Sequence, residues 1–378
     1  MNLLGDPDKK LKFIHIAGTA GKGSVATLTQ QILVKNGYKT GLFTSPHVTT
    51  SIEKIKVNEK YIDPMAFIDI VERTKPLIDK AFSEGPFGGI TYFEIFFCLA
   101  LKYFEEQKCE WAVLEAGLGG SYDATNAIEK CEVAIITNIG YDHTNILGKT
   151  LSEIAVDKAG IIKPGCVFVT TERRAHLLKI MRVIAKKNKA IRFISLDDSD
   201  QYQEQNRALA TRIAMEIGIS NPILPERLGL PCRFEIIQKK PLVILDGAHN
   251  GSKMRSVVHN LSKLKYRKLI AIISIAEDKD KNAILREIIP LIDKAFFTRF
   301  LVMNRRCSSP KEINRVAKTI NPDIKSEIIL DPWTALESAM HTAHPNDIIL
   351  VTGSFYLAGE LRKKWHSEDY ILRNRSSF

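Results

Sequence analysis

Short, uninterrupted apolar runs alternate along the chain with longer segments whose apolar residues recur every three to four positions. KFIHIA (12–17) is a run of the buried-strand type, and VATLTQQILVKN after Ser24 carries helical spacing that Gly37 closes. KTGLFTS (39–45) predicts the next strand, and Asp63-Pro64 supplies an N-cap and a first-turn proline for a helix through about Asp79. Thr91-Tyr-Phe-Glu94 and Thr150-Leu-Ser-Glu153 are capping boxes. The first opens an apolar helix to about Gln107, and the second a short helix that carries Lys158. WAVLEAG (111–117) and VAIITNIG (133–140) predict further buried strands, each running out into polar residues and glycine. VFVTT, a helix near 174–188, IRFISL and a helix near 203–217 continue the pattern.

This alternation predicts an α/β fold with a mostly parallel sheet covered by helices. NPILPERLGLP (221–231) gathers prolines and glycines between periodic segments, so a boundary is expected there, separating domains 1–230 and 231–378. Beyond it the alternation restarts with PLVILDGAHN, a helix to about 263, KLIAIISIA, a helix near 281–293, AFFTRFLVM and NDIILVTGSFYLAGELRKK. A second, smaller α/β domain of Rossmann-like type is therefore expected.

Composition adds few constraints. The chain has 378 residues, 45% hydrophobic and 26% charged, which is ordinary for a globular protein with room for two cores. No apolar run approaches the roughly 18 residues a membrane helix needs, and MNLLGDPDKK lacks a signal-peptide core, so a cytoplasmic location without membrane contact is expected. Six cysteines lie far apart with no CxxC pair, which fits neither a zinc site nor a disulfide framework and predicts reduced thiols. A net charge of +11 raises the question of nucleic acid. The basic groups AKKNKAIR, KLKYRK and LRKKW are scattered and carry no aromatic interleaving, so they read as solvated surface and no nucleic-acid partner is expected.

The candidate chemistry begins at GTAGKGS. Gly18, Thr19, Gly21 and Gly23 let backbone N–H groups face phosphate oxygens at a helix N-terminus, Lys22 would neutralise the terminal phosphates, and Ser24 offers a hydroxyl to magnesium. The spacing departs from the usual phosphate loop, and a bare glycine-rich turn is the alternative. Ligands of open α/β sheets collect where strands end, and those positions hold Ser45, Glu115, Asp142 and His143. A serine oxygen, a carboxylate and an imidazole beside a phosphate loop suit a divalent metal, although a capping glutamate and a structural histidine are the alternatives. In LDGAHN, Asp246 would accept ribose hydroxyls and His249 or Asn250 would touch phosphate or base; a capped strand-to-helix turn explains the same residues equally well.

In order, HIAGTAGKGS, TSPH, TYFE, LEAGLGGSYDATN, ITNIGYDH, LGKTLSEIAVDKAGIIKPG, RFE, LDGAHN and TGSFYLAGE resemble the folylpolyglutamate synthase and dihydrofolate synthase family of the Mur ligase superfamily. The resemblance implies an ATP-dependent amide ligase. Such an enzyme activates a pteroate or folate carboxylate as an acyl phosphate, from whose acyl carbon the amino group of L-glutamate then displaces phosphate. It further implies that residues 18–24 cradle phosphates and that Ser45, Glu115 and His143, with Ser24 near, hold magnesium, two ions in all. Lys158 matches a lysine often carried as a carbamate, and Lys22, Lys158, His143 and Glu115 form the catalytic group. Asn206 matches an adenine contact, Arg233 would reach the phosphates, and Asp246 and His249 would serve ribose and phosphate, with ATP clamped between the domains of a monomer.

Departures from the family pattern fall at Ala20, Lys54, Ser121 and Cys232, where the family usually has Asn, Arg, Arg and Gly. They bear on substrate identity more than on the ATP machinery, because lysine lacks the arginine fork and Ser121 carries no charge. A cell-wall Mur ligase would carry a UDP-binding domain ahead of the loop, where only 17 residues precede Gly18. The alternative from another class is an ATP-binding relative that acts as a regulator.

Overall fold

The computed structural model describes residues 1–85, 89–196, 202–225, 229–302 and 305–378. They divide into two compact units, Met1–His47 with Ser51–Leu228, and Val48–Thr50 with Gly229–Phe378.

In the first unit, β1 (Lys12–Ala17) is buried from its second residue on. Helix α1 (Lys22–Lys35) begins earlier than its apolar spacing suggested. Gly21 takes a left-handed φ of 82° at the N-cap, so Lys22, Gly23 and Ser24 form the first helical turn. After β2 (Thr40–Phe43) comes a hairpin that the apolar pattern did not reveal, β3 (Ile55–Val57) and β4 (Lys60–Tyr61). Helix α2 (Pro64–Glu84) is capped by Asp63, which accepts from the Met65 and Ala66 N–H groups. It carries an internal proline, Pro76, and still runs past Asp79, since residues 80–84 hold neither proline nor glycine and Gly85 closes it. Both capping boxes form, at the starts of α3 (Tyr92–Glu106) and of α5 (Leu151–Ala159). Between them lie β5 (Trp111–Glu115), β6 (Val133–Ile136) and the short α4 (Thr144–Leu147). The unit ends with β7 (Val167–Thr170), α6 (Ala175–Lys187), β8 (Arg192–Ser195) and α7 (Tyr202–Glu216).

Its strands form one sheet in the order β4-β3-β2-β5-β1-β6-β7-β8, antiparallel only at the β2-β3-β4 edge. Strand β1 is thus flanked by parallel β5 and β6, so the segments leaving all three emerge at one sheet edge. Helices α1 and α7 pack together over one face, where Ile14, Ile16, Leu28, Val113, Ile135 and Ile213 are fully buried. Each such side chain contributes about 1.5–3 kcal/mol, which anchors the loops at the edge.

The second unit contains β9 (Glu235–Lys239), β10 (Leu242–Leu245), α8 (Gly251–Leu261), β11 (Leu269–Ile273), α9 (Lys281–Ile288) and β12 (Lys294–Phe297). It continues with α10 (Pro310–Ile320), β13 (Lys325–Ile328), α11 (Pro332–Thr342), β14 (Ile348–Thr352), α12 (Phe355–Arg362) and α13 (Glu368–Asn374). The sheet order is β13-β12-β11-β14-β10-β9, parallel except for the edge strand β9. The expected α/β architecture with mostly parallel sheets is present in both units.

One sequence expectation needs correction. The pattern of LRKKW predicts solvated surface, yet Arg362 is fully buried there: it donates to the Glu235 carboxylate at 2.9–3.0 Å and to the Ser377 carbonyl. Buried charge is tolerated because a carboxylate from β9 meets it. None of the six cysteines, all among the described residues, forms a disulfide. No helix among the described residues is long and apolar enough to cross a membrane.

Candidate functional site

The glycine loop is held by the end of β6. Gly18 has a φ of 146°, and a Cβ there would collide with the Thr137 hydroxyl. That hydroxyl donates to the Ala20 carbonyl at 2.6 Å, while Asn138 Oδ1 accepts from the Ala20 N–H at 2.9 Å. Thr19 N–H donates to the Asn138 carbonyl, and the Thr19 hydroxyl both donates to the Gly140 carbonyl and accepts its N–H. Ala20 therefore keeps full backbone bonding without a polar side chain. Thr137 and Asn138 had no assigned role in the sequence reading. Their signal, polar residues ending a buried strand, becomes decisive only once β6 is known to lie beside β1.

Two ammonium groups meet over this loop. Lys22 Nζ donates to the Gly18 carbonyl at 3.1 Å and Lys158 Nζ to the same oxygen at 3.2 Å. Burial, then the charge of Lys22, pushes the Lys158 ammonium down to about 8. Two cations sharing one neutral oxygen form a positive focus at the N-terminus of α1, where the helix dipole adds to it. Burial pushes the Asp157 carboxyl up despite the neighbouring Lys158, and its Oδ2 is buried without a hydrogen bond.

Glu115 ends β5 and accepts the Ser45 N–H at 3.1 Å. Its Oε2 lies 3.2 Å from where a Cβ on Gly23 would sit, so the missing side chain at Gly23 lets the carboxylate approach the first turn of α1. Gly18, Lys22, Gly23, Lys158, Glu115 and Ser45 are thereby brought together. His143 has a left-handed φ of 49° at the N-cap of α4, and its Nε2 stands 3.7 Å from Asp142 Oδ1. Asn206 is buried on α7, which packs against α1.

Among the described residues no group of three or more His, Cys, Asp or Glu gathers into a metal cluster. The donors that do converge are hard oxygens around a phosphate loop. Such a set fits Mg2+, which takes one or two protein oxygens and completes its shell with phosphate and water.

A buried relay orders the segment after Glu115. His15 lies in β1, and burial pushes its imidazole down to about 3. Its Nε2 is 2.7 Å from the Thr125 hydroxyl, which donates to Asp123; Asp123 also accepts the Leu118 and Thr125 N–H groups. Because the Thr125 proton goes to Asp123, the neutral imidazole must donate from Nε2. Ser121, at the position where arginine is usual, donates through both N–H and Oγ to the Asp157 carbonyl at 2.9 Å. It fits against the bare Cα of Gly160, so a short side chain ties this loop to the helix that carries Lys158.

In the second unit, Asp246 accepts the Phe234 and Ala248 N–H groups, each at 2.7 Å, and burial pushes it up to about 6. His249 Nδ1 donates to the Gly247 carbonyl at 2.8 Å, and its Nε2 accepts from Lys253 Nζ at 2.9 Å, because burial holds the ring neutral. The Arg233 guanidinium lies 4.0 Å from the Phe355 ring centroid, and the His249 ring packs on the same phenyl. Arg233, Asp246 and His249 thus converge at one end of β10. Asn250 caps α8 by accepting the Lys253 N–H, as the turn explanation anticipated.

A glycine loop on a parallel sheet, with paired lysines and a carboxylate at the helix start, is an arrangement suited to nucleotide phosphates, and the family matches make the class that of the Mur ligases. Residues 90–236 match the Mur ligase middle domain and residues 232–355 the Mur ligase glutamate ligase domain. The chain belongs to the dihydrofolate synthase/folylpolyglutamate synthase family. It is 31% identical over 407 residues to dihydrofolate synthase/folylpolyglutamate synthase of Bacillus subtilis, covering 96% of this chain and 93% of that relative. Folylpolyglutamate synthase of Mycobacterium tuberculosis, solved with ADP and AMPPCP, superposes with a TM-score of 0.85 at 25% identity, covering 97% of this chain and 93% of that one. The bifunctional synthase of Yersinia pestis, solved with AMPPNP and a manganese ion, gives 0.81 at 25% identity, covering 96% and 91%. The protein is therefore an ATP-dependent ligase, and the regulator alternative has no support among these relatives.

Proposed function

We propose that the chain phosphorylates a carboxylate of dihydropteroate or of a reduced folate with ATP and couples the acyl phosphate to L-glutamate, releasing ADP and phosphate. The observation that carries this reading is the convergence of Lys22 and Lys158 on the Gly18 carbonyl, beside the Glu115 carboxylate. Lys22 would hold the terminal phosphate and stabilise charge on the transferring oxygens. Gly18, Thr19, Gly21, Gly23 and Ser24 would bind phosphates through backbone and hydroxyl groups, while Asn206, Arg233, Asp246 and His249 would serve the rest of the nucleotide. Glu115, Ser45, Ser24 and His143 would hold Mg2+, two ions in the full site. When bound, the metal neutralises phosphate charge and aligns the oxygens for in-line transfer. In this reading residues 1–230 supply the phosphate chemistry and residues 231–378 complete a monomeric, cytoplasmic ligase.

Two measurements test it. Phosphate release with ATP and L-glutamate should depend on added dihydropteroate or reduced folate, and release that ignores both acceptors would refute the assignment. The lowered basicity of Lys158 leaves a neutral amine fraction near neutral pH, the form that adds CO2 as a carbamate. Carbon-13 NMR in labelled bicarbonate should show a carbamate carbonyl that Lys158→Arg removes; identical spectra would show that Lys158 works as an ammonium.

A further inference from the structure

Lys54 is only 5% exposed, and its ammonium lies 4.1 Å from the ring centroid of Tyr92 and 4.5 Å from that of Phe96. No carboxylate of the described residues stands within ion-pair range of it, and burial pushes it down to about 8. Two ring faces attract a cation, but they recover only part of the hydration lost on burial. A lysine kept in this setting is complete only when an anion joins it.

The fold narrows which anion. The Lys54 carbonyl accepts the Thr44 N–H at 3.1 Å, and the next residue, Ser45, donates its N–H to Glu115. Lys54 therefore borders the reaction centre. Lys54 also leads directly into β3, and β2 and β5 separate β3 from β1, a displacement of roughly 14 Å at the usual strand spacing. The phosphates belong to the loop after β1, so the partner of Lys54 is a different anion on the same substrates.

We propose that Lys54, walled by Tyr92 and Phe96, is the subsite for a substrate carboxylate that is not phosphorylated, the α-carboxylate of an amino-acid moiety. This rests on the ligase reading above. A glutamylated folate and free L-glutamate both carry such a group, whereas dihydropteroate has only the carboxylate that reacts. The side chain is a lysine where the family usually has arginine, so it grips through one compact charge instead of a planar fork.

The experiment compares wild type with Lys54→Met, Lys54→Gln and Lys54→Arg, measuring KM for ATP, L-glutamate and a reduced folate, together with Tm. Loss of the charge in Lys54→Met and Lys54→Gln should raise the KM of the folate or of L-glutamate by about tenfold or more. The KM for ATP should move by less than about twofold, and Lys54→Arg should recover most of the loss. Tm of Lys54→Met should hold or rise, because an uncompensated charge has left the interior. A change confined to the folate assigns the subsite to the acceptor, and one confined to glutamate assigns it to the incoming amino acid. If all three KM values stay at wild-type levels, the subsite is wrong and the ligase reading survives. Wild type that turns over neither acceptor overturns the ligase reading and the subsite with it.

Discussion

Lys22→Ala should lower kcat for ATP-dependent phosphate release by about 10³-fold, ~4 kcal/mol in the barrier, while leaving Tm nearly unchanged. Lys22 sits in the first turn of α1, where the helix dipole and its own charge would act together on the phosphate of the proposed reaction. Removing it leaves the glycine loop intact, because the Gly18 carbonyl keeps its bond from Lys158 and Ala20 stays bonded to Thr137 and Asn138. Lys158 also loses a neighbouring positive charge that helps lower its basicity, so its ammonium form gains ground. Steady-state phosphate release and thermal unfolding of the same preparation check both halves. Activity within tenfold of wild type, or a cooperative loss of structure, would show that Lys22 does not have this role.

Arg362→Met should destabilise the second unit by about 3–5 kcal/mol, measured by denaturant unfolding. Both partners of the pair are buried, Arg362 completely, and Glu235 also accepts the Cys232 N–H at 2.8 Å. Truncating the arginine strands the carboxylate in the interior and frees the Ser377 carbonyl that Arg362 holds near the C-terminus. The double variant Glu235→Gln, Arg362→Met should recover much of the loss, because the penalty comes from the orphaned charge more than from the lost contact. Glu235 lies two positions from Arg233, so if Arg233 serves the nucleotide as proposed, the single variant should also weaken nucleotide binding. A single variant as stable as wild type would remove the pair from any structural role.

Much of the first unit could be read directly along the chain. Both capping boxes, the Asp63 cap and the strands at 12–17, 111–115 and 133–136 depend on neighbours within a few residues, so local pattern suffices for them. Helices α10 and α11, eleven residues each, escaped, and so did elements that are short or lie at an edge. The β3–β4 hairpin spans only residues 55–61, and β13 is largely exposed, so neither carries a long apolar signature. The site divides in the same way. Lys22, Gly23, Glu115 and Lys158 were identifiable as residue types in suggestive contexts, while Thr137 and Asn138 look locally like any strand end, and His15, inside β1, and Thr125, in a 3-10 turn, meet only through the fold.

By itself the sequence determined the alternation of strands and helices, the helix starts, the glycine loop and the family that the ordered motifs resemble. Each of these follows from side chains close together along the chain. Only the tertiary structure decided that Lys158, 140 positions from Gly18, shares its carbonyl with Lys22. It likewise decided that Arg362, 127 positions from Glu235, is a core residue, and that Lys54 lies among aromatic rings with no counter-ion among the described residues. Those pairings depend on strand order and burial, which bring distant segments together in a medium where a charge must find a partner or change its basicity.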